Sequence, residues 1–387
     1  MITRRKALCL GLGTVAGGSP IGRALMSKLA SGAYLLDSEF KSFPVSSDKP
    51  LSERAAAKGL LYGTACRRHN LCSDLNYARA IARECSILVP EWELKWAASY
   101  PPLRPTPDTF NFTLADSMAD FAQTYRMQFR GHTLLWHLSL PSWFAETVTA
   151  QNAEGYLIKH IKTVVKRYAG RIHSWDVVNE AVELKDGRID GLRKSPWLDL
   201  LGPDYIDLAF RVASAADPKA LLVYNDYGLD YDTPEADKKR QAILNLLESL
   251  KARGTPIHAF GLQGHLGGRS GLSSDRLRNF LSQIASLGLK ILVTELDVVG
   301  PKLPLPNNLY DRLIAITYED YLNVVLDEPA VIAVLTWGLS DRYTWLSEFA
   351  PRKDGSPVRP LPLDANMNRK LAWNAIARAF DNAPNRM

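Results

Sequence analysis

A regular alternation of short apolar runs and longer amphipathic stretches constrains the fold of this 387-residue chain more than any other feature. Eight runs have the length and composition of buried β-strands: Leu60–Thr64, Ile87–Glu91, Phe129–Thr133, Ser174–Asn179, Leu221–Asn225, Ala259–Gln263, Ile291–Glu295 and Ile332–Trp337. Apolar residues at helical spacing predict helices near 74–85, 114–127, 152–169, 204–216, 235–253, 274–287, 309–326 and 366–380. Eight strand–helix units in strict order predict an α/β fold, a single (β/α)8 TIM barrel with a closed, parallel, eight-stranded sheet. A doubly wound open sheet is the alternative.

Polar and aromatic residues collect where the predicted strands end. Seven of the eight strands finish in carboxylates, amides, imidazoles or indoles: Pro90-Glu91-Trp92, Gly131-His132-Thr133, Val178-Asn179-Glu180, Asn225-Asp226-Tyr227, Gln263-Gly264-His265, Thr294-Glu295-Leu296-Asp297 and Trp337-Gly338. Active sites of α/β barrels lie at the C-terminal ends of their strands. The pattern therefore predicts one functional rim, since a polar loop start explains a single strand end but not seven.

Two carboxylates on this rim are placed for glycoside cleavage. Glu180 ends the fourth predicted strand and Glu295 ends the seventh, on opposite sides of a barrel mouth. Such a pair cleaves with retention when it is about 5–5.5 Å apart and with inversion at about 6.5–9.5 Å. Asn179 can bind a sugar 2-hydroxyl, which favours Glu180 as the acid/base, and His265 can donate to Glu295 as the nucleophile. Asp297 is a further supporting residue.

The tryptophans and the missing motifs narrow the chemistry further. Trp136, Trp337 and Trp345 lie in or just after strand ends, where their rings can stack on sugars, whereas Trp96 and Trp175 are predicted core residues. The sequence contains no His-Glu-x-x-His helix, no phosphate-binding Walker loop and no Gly-x-Ser-x-Gly elbow. His132 and His137 have no third ligand beside them. We therefore expect neither a metal nor a cofactor.

The motifs together resemble glycoside hydrolase family 10, the endo-β-1,4-xylanases, from about Tyr62 to Ile376. The matching stretches are Glu91-Trp92-Glu93-Leu94-Lys95-Trp96, Arg130-Gly131-His132-Thr133-Leu134-Leu135-Trp136-His137, Asp176-Val177-Val178-Asn179-Glu180, Tyr224-Asn225-Asp226-Tyr227, Gly261-Leu262-Gln263-Gly264-His265, Thr294-Glu295-Leu296-Asp297 and Trp337-Gly338. The resemblance implies a barrel that hydrolyses internal xylan linkages with retention, without a cofactor. By the family pattern, the glycone subsites are lined by Glu91, Lys95, His132, Trp136, Gln263, Trp337 and Trp345.

Two departures from the family pattern fall in one place. Trp92 stands where the family has asparagine, and Ser139 stands where it has glutamine two residues after His137. Losing two amides removes hydrogen-bond partners worth roughly 0.5–1.5 kcal/mol each. We therefore expect a remodelled distal glycone subsite, in which Trp92 either stacks on a sugar or blocks the groove.

Two other functions remain open on the sequence. A related barrel glycanase could use the same glutamates on another β-linked glycan or on short xylo-oligosaccharides. A catalytically silent carbohydrate-binding barrel would be expected to have lost one carboxylate, and both are present.

The N-terminal segment accounts for most of the net charge of +6. Residues 1–30 carry five basic and no acidic residues, which leaves 42 basic against 41 acidic residues in the remainder. The body therefore gives no reason to expect nucleic acid as a partner. The start Thr3-Arg4-Arg5-Lys6 before a mild apolar run resembles a twin-arginine export signal, with a disordered cytoplasmic tail as the alternative.

These features predict three segments and a cellular location. They are a signal segment over 1–30, a poorly ordered lead-in over 31–50 and a catalytic barrel over 51–383. We expect an exported, periplasmic or extracellular monomer with a polysaccharide or oligosaccharide substrate and no stable membrane insertion. Cys66 and Cys72 could form a disulfide or remain free thiols.

Overall fold

The strands of this computed structural model form one parallel sheet system. The structure describes residues 42–267, 274–300 and 305–386, so the predicted signal segment and residues 31–41 of the lead-in lie outside the described residues. The strands are β1 Leu61–Cys66, β2 Ile87–Pro90, β3 Gln128–Gly131, β4 Ser174–Asn179, β5 Leu221–Asp226, β6 Ala259–Leu262, β7 His265–Gly267, β8 Lys290–Val299 and β9 Val331–Thr336.

Eight of these strands close into a ring. Neighbours pair in parallel from β1 through β6, β6 pairs with β8, and β8 pairs with β9, which returns to β1. The short β7 follows β6 and pairs with the end of β8, placing His265 opposite Asp297. The predicted (β/α)8 barrel is confirmed, and the open doubly wound alternative is wrong because the sheet has no free edge at β1 or β6.

Helices follow the strands along the chain. The longer ones span Leu75–Glu84, Thr113–Thr124, Ala153–Arg167, Tyr205–Ala216, Pro234–Ala252, Ser274–Ser286, Asn307–Val325 and Leu371–Asn382. Shorter α-helices span Leu51–Ala56, Arg68–Ser73, Trp143–Thr147, Pro196–Leu201 and Leu346–Phe349, with 3-10 turns at Leu184–Asp186 and Asp341–Tyr343. None of the described helices is both long enough and apolar enough to cross a membrane.

The last helix begins five residues later than the predicted 366. The Asp364 side chain accepts hydrogen bonds from the backbone N–H groups of Asn366 and Asn368, each 2.8 Å long, and holds this segment in a turn. Such side-chain bonds compete with the helical pattern. The chain therefore becomes helical only at Leu371.

Apolar side chains of the strands fill the barrel interior. Buried residues from β1, β2, β5, β6, β8 and β9 form one cluster that reaches Trp337 at the end of β9. The predicted core residues Trp96 and Trp175 are 3% and 0% exposed. A Cβ on Gly131 would lie 2.0 Å from the Trp175 ring, so β3 can approach this ring only because residue 131 is glycine.

Residues just before the barrel contact its terminal helix. Phe43 is buried, and its carbonyl accepts a 2.9 Å hydrogen bond from the Asn374 side chain. The Lys49 carbonyl accepts another from Arg54. Cys66 and Cys85 are buried and Cys72 is exposed, and all three are free thiols.

Candidate active site

A cavity of about 730 Å³ opens at the C-terminal end of the barrel. Twelve of the fourteen predicted site residues line it: Glu91, Trp92, Lys95, His132, Trp136, Asn179, Glu180, Gln263, His265, Glu295, Trp337 and Trp345. Asp297 is fully buried directly behind His265. Ser139 is half-buried with a φ of 57° and does not belong to the lining.

Glu180 stands immediately after β4 in the left-handed backbone region, with φ 58°. A non-glycine residue rarely adopts this conformation, and such residues cluster at functional sites. One carboxylate oxygen accepts from Trp136 Nε1 at 2.9 Å, and the other accepts from Gln263 at 3.0 Å and Asn179 at 3.1 Å. Strands β4 and β6 and the loop after β3 thus fix one carboxyl group.

The pKa of Glu180 is raised above its usual value. Burial disfavours the charged carboxylate, and the nearby charge of Glu295 acts in the same direction. The hydrogen bonds from Gln263 and Trp136 oppose this shift because they stabilise the ionised form. Glu180 therefore keeps its proton to a higher pH than an exposed glutamate.

The pKa of Glu295 is lowered, although burial by itself would raise it. A hydrogen bond from His265 and the electrostatic influence of the nearby His132 and His265 rings outweigh the burial. His265 Nε2 lies 3.3 Å from Glu295 Oε2, and the Asn225 side-chain amide donates to Oε1 at 2.7 Å. The pKa values of two carboxyl groups in one cavity are thus shifted in opposite directions, upward for Glu180 and downward for Glu295.

His265 is itself fixed from behind by Asp297. Its Nδ1 donates to Asp297 Oδ1 at 2.9 Å, and the other oxygen of Asp297 accepts from Trp345 Nε1 at 2.7 Å. Burial would lower the pKa of His265, but the charge and hydrogen bond of Asp297, with those of Glu295, raise it well above the usual value. The imidazolium of His265 therefore links Glu295 to Asp297, and Asp297 in turn holds the indole of Trp345.

An amide network joins the two glutamates. Asn225 Nδ2 donates to Glu295 and also to Asn179 Oδ1, the latter at 2.8 Å. The Thr294 hydroxyl donates to Asn225 Oδ1 at 2.7 Å. Asn179 in turn donates to Glu180. The positions of the two carboxyl groups are thereby coupled across strands β4, β5 and β8.

His132 is held by a buried ion pair at the end of β3. Its Nδ1 donates to Asp176 Oδ2 at 2.9 Å, and Asp176 also receives two hydrogen bonds from Arg130. The charge of Arg130 and the hydrogen bond from His132 outweigh burial and lower the pKa of Asp176. Because Asp176 stays ionised, it fixes the orientation of the His132 ring.

Two cations of the site lie over indole rings. Lys95 Nζ lies 4.7 Å from the centroid of Trp136 and 5.8 Å from that of Trp337. The Arg67 guanidinium lies 3.7 Å from the centroid of Trp92 and 2.9 Å from Glu91. One face of Trp92 is therefore covered by Arg67.

Several site residues did not stand out in the sequence. Arg67, Leu138, Tyr227, Glu348 and Phe349 line the cavity although none was a candidate. Asn225 and Tyr227 lie at a predicted strand end, and this position could have identified them as site residues. Arg67 lies in the loop after β1 and Phe349 ends the short helix Leu346–Phe349, and neither position carries a comparable signal in the sequence. Among the described residues, no group of three or more potential ligand side chains is placed to hold a metal.

The family profile described as Glycosyl hydrolase family 10 matches residues 50–379. The chain belongs to glycosyl hydrolase family 10. This confirms the resemblance found in the sequence and makes the chain a glycosidase.

Several xylanases resemble this chain over most of its length. Endo-1,4-beta-xylanase 1 of Humicola insolens is 35% identical over 84% of this chain and 73% of its own length. Endo-1,4-beta-xylanase B of Thermotoga neapolitana is 33% identical over 87% of this chain and 93% of its own length. The structure of xylanase 10B from Thermotoga petrophila in complex with xylobiose has a TM-score of 0.78 and 34% identity, covering 87% of this chain and 99% of that one.

Proposed function

We propose that this family 10 glycosidase hydrolyses internal β-1,4-xylosidic linkages of xylan with retention of configuration. Glu180 acts as the acid/base and Glu295 as the nucleophile. The observation that carries the proposal is that one cavity holds two carboxyl groups with opposed surroundings. Burial raises the pKa of Glu180, whereas Glu295 lies against the His265 ring and the Asn225 amide and its pKa is lowered. Opposed environments of two carboxyl groups are how such enzymes separate acid from nucleophile.

The reaction proceeds in two displacements. In the first, Glu295 attacks the anomeric carbon while Glu180 gives its proton to the departing glycosidic oxygen, which leaves a covalent glycosyl–Glu295 ester. In the second, Glu180 removes a proton from water, whose oxygen attacks the same carbon and releases Glu295. The sugar product keeps its configuration, and both glutamates return to their starting protonation.

The surrounding residues support this division of roles. The imidazolium of His265 and the amide of Asn225 stabilise the charge of Glu295, which the nucleophile must carry before attack. Asn179 lies between the two glutamates, where its amide can reach a sugar 2-hydroxyl. The rings of Trp136, Trp337 and Trp345 offer apolar faces to the sugars in the same cavity.

Xylan as the substrate rests on relatives. The curated relatives named above are called endo-1,4-beta-xylanases, and a structural neighbour was solved with xylobiose. Another β-linked glycan is the remaining alternative, because the chain departs from the family pattern at Trp92 and Ser139. A silent binding barrel is disfavoured because both carboxyl groups are present and embedded in hydrogen bonds.

Trp92 is the residue that we propose changes the distal glycone subsite. Its ring lies in the cavity wall, with Arg67 on one face. Equal relative cleavage of short and long xylo-oligosaccharides by the parent and by Trp92→Asn would contradict this role. Ser139 lies outside the lining, so we expect its own substitution to matter less.

Reducing-sugar release from xylan tests the proposed function. The parent enzyme should release sugar and Glu295→Ala should not, while proton NMR of the first product should show the β-anomer. Activity on a β-glucan but not on xylan would refute the substrate, and full activity of Glu295→Ala would refute the nucleophile. Asp381→Ala, a half-exposed partner of Arg54 outside the cavity, is the control.

Export by the predicted signal segment is a separate proposal. The segment carries paired arginines and no acidic residue. Replacing Arg4 and Arg5 together by lysine should move xylan-degrading activity from the exported fraction to the cytoplasm of an expressing bacterium. An unchanged distribution would contradict twin-arginine export.

A further inference from the structure

Phe349 is an exposed aromatic residue at the edge of the catalytic cavity. It is a large aromatic side chain that is 71% exposed, and it lines the catalytic cavity. The other exposed large apolar residues of the described chain are Leu75, Tyr100, Tyr125, Leu138 and Ile189, of which only Leu138 lines this cavity. An exposed ring gains little from burial on folding, so it offers apolar surface to a ligand.

The ring of Phe349 is the outer end of a series of aromatic contacts. The His265 ring, which contacts Glu295, lies 5.2 Å from the ring of Trp345. The Trp345 ring lies 4.6 Å from Phe349, with an angle of 30° between the two planes. The series therefore leads from the reacting carboxylate to solvent along one wall of the cavity.

The backbone and a buried leucine fix this position, and a carboxylate lies beside it. Phe349 ends the short helix Leu346–Phe349, and its backbone N–H donates to the Trp345 carbonyl at 3.2 Å. Leu346 in the same helix is buried and attaches it to the barrel. Glu348 also lines the cavity, where its carboxylate can accept a hydrogen bond from a sugar hydroxyl.

We propose that Phe349 is a stacking platform for a sugar of the polysaccharide that is third or further from the cleaved bond on one side. Phe349 thereby determines preference for longer chains. The inference rests on the proposed function, because it concerns the same cavity and the same polymer. It assigns Phe349 to binding and Glu348 to the polar edge of the platform, and neither residue takes part in bond cleavage.

Kinetics on two chain lengths test the platform. For Phe349→Ala, kcat/KM on xylohexaose should fall about 3- to 10-fold, mainly through KM, because an aromatic stacking contact is lost. Values on xylotriose should stay within about twofold of the parent, since the shorter chain leaves the platform unoccupied. Phe349→Tyr should restore the parent values on both substrates.

Tyr125→Ala is the matched control. Tyr125 is also an exposed aromatic residue that packs on a neighbour at 4.6 Å, but it lies at the end of helix Thr113–Thr124 and not in the cavity. Its substitution should change neither substrate's kinetics. Equal losses on both chain lengths in Phe349→Ala, or no loss on either, would overturn the platform while leaving the xylanase function intact.

Failure of the proposed function gives a different result. The parent would then cleave neither xylo-oligosaccharide. The same variants would be compared on β-1,4-gluco-oligosaccharides of three and six sugars, where the platform again predicts a loss confined to the longer chain. A length-independent result there would overturn it.

Discussion

At the scale of single residues, the proposed role of Glu180 as the acid predicts that its protonation sets the alkaline limit of activity. Its raised pKa means that the acid form persists as pH rises and is lost only above the usual range for glutamate. Trp136 Nε1 donates to the ionised form, so Trp136→Phe should raise this pKa further and move the alkaline limb of kcat/KM upward by about one unit. A pH–rate profile measures this directly. A downward movement would show that Glu180 is not the acid.

The proposed role of Glu295 as the nucleophile predicts in the same way that this residue sets the acid limb of the pH–rate profile. Its lowered pKa keeps the carboxylate ionised as pH falls, and activity should be lost when it becomes protonated. His265→Gln keeps a donor but removes the charge, so the acid limb should move upward by about one unit. His173→Gln is the control, since burial and Arg130 lower the pKa of His173 to about 4 and it lies at the start of β4.

Sequence analysis could predict which residues lie at the strand ends, but not how they contact one another. Asn225 joins Asn179 to Glu295 by hydrogen bonds between residues 46 and 70 positions apart in sequence. The ion pair between Arg130 and Asp176 likewise depends on the pairing of β3 with β4. Phe349 gave no signal because its exposure becomes unusual only beside a cavity.

At the scale of the elements, β6 controls the position of Asn225. A Cβ on Gly261 would lie 2.2 Å from Asn225 Oδ1 and 3.1 Å from Thr294. Gly261→Ala should therefore displace Asn225 from Glu295. We expect kcat to fall at least tenfold, a loss of about 1.4 kcal/mol in transition-state stabilisation. The overpacked methyl group should also destabilise the fold by about 1–3 kcal/mol. Gly155→Ala, in an open part of helix Ala153–Arg167, should instead be neutral or stabilising by up to about 1 kcal/mol. Circular dichroism and initial rates measure both variants.

Most strands were predicted within two residues of their ends because buried parallel strands read as continuous apolar runs. The exceptions have a local cause. Gly264, with φ 77°, interrupts the sixth strand, and the chain resumes pairing at His265. This pairing extends β8 to Val299, four residues beyond its predicted end at Glu295. A register between distant strands cannot be read from either strand by itself.

At the scale of the whole molecule, barrel closure requires that elements near the two ends of the described chain meet. Glu84, the last residue of helix Leu75–Glu84, is 3% exposed and joins residues from both ends. It accepts hydrogen bonds from the backbone N–H of Leu51 at 3.0 Å, from Trp373 at 2.9 Å and from Arg369 at 2.6 Å. Alternation of strands and helices predicted closure, but no pattern predicted this carboxylate, because its partners lie up to 289 positions away.

Removing Glu84 should therefore separate stability from catalysis. Glu84→Ala leaves Arg369 without its buried carboxylate and the Trp373 and Leu51 donors unpaired, which should cost about 3–5 kcal/mol of unfolding free energy. Glu84 is not part of the cavity lining, so kcat at temperatures well below unfolding should stay near the parent value. Glu53→Ala, an exposed carboxylate in the adjacent helix Leu51–Ala56, should change neither quantity. Denaturant unfolding and kcat are measured on the same samples. A Glu84→Ala variant that lost activity without losing stability would contradict this assignment, because Glu84 would then act on the catalytic rim and not on the closure of the barrel.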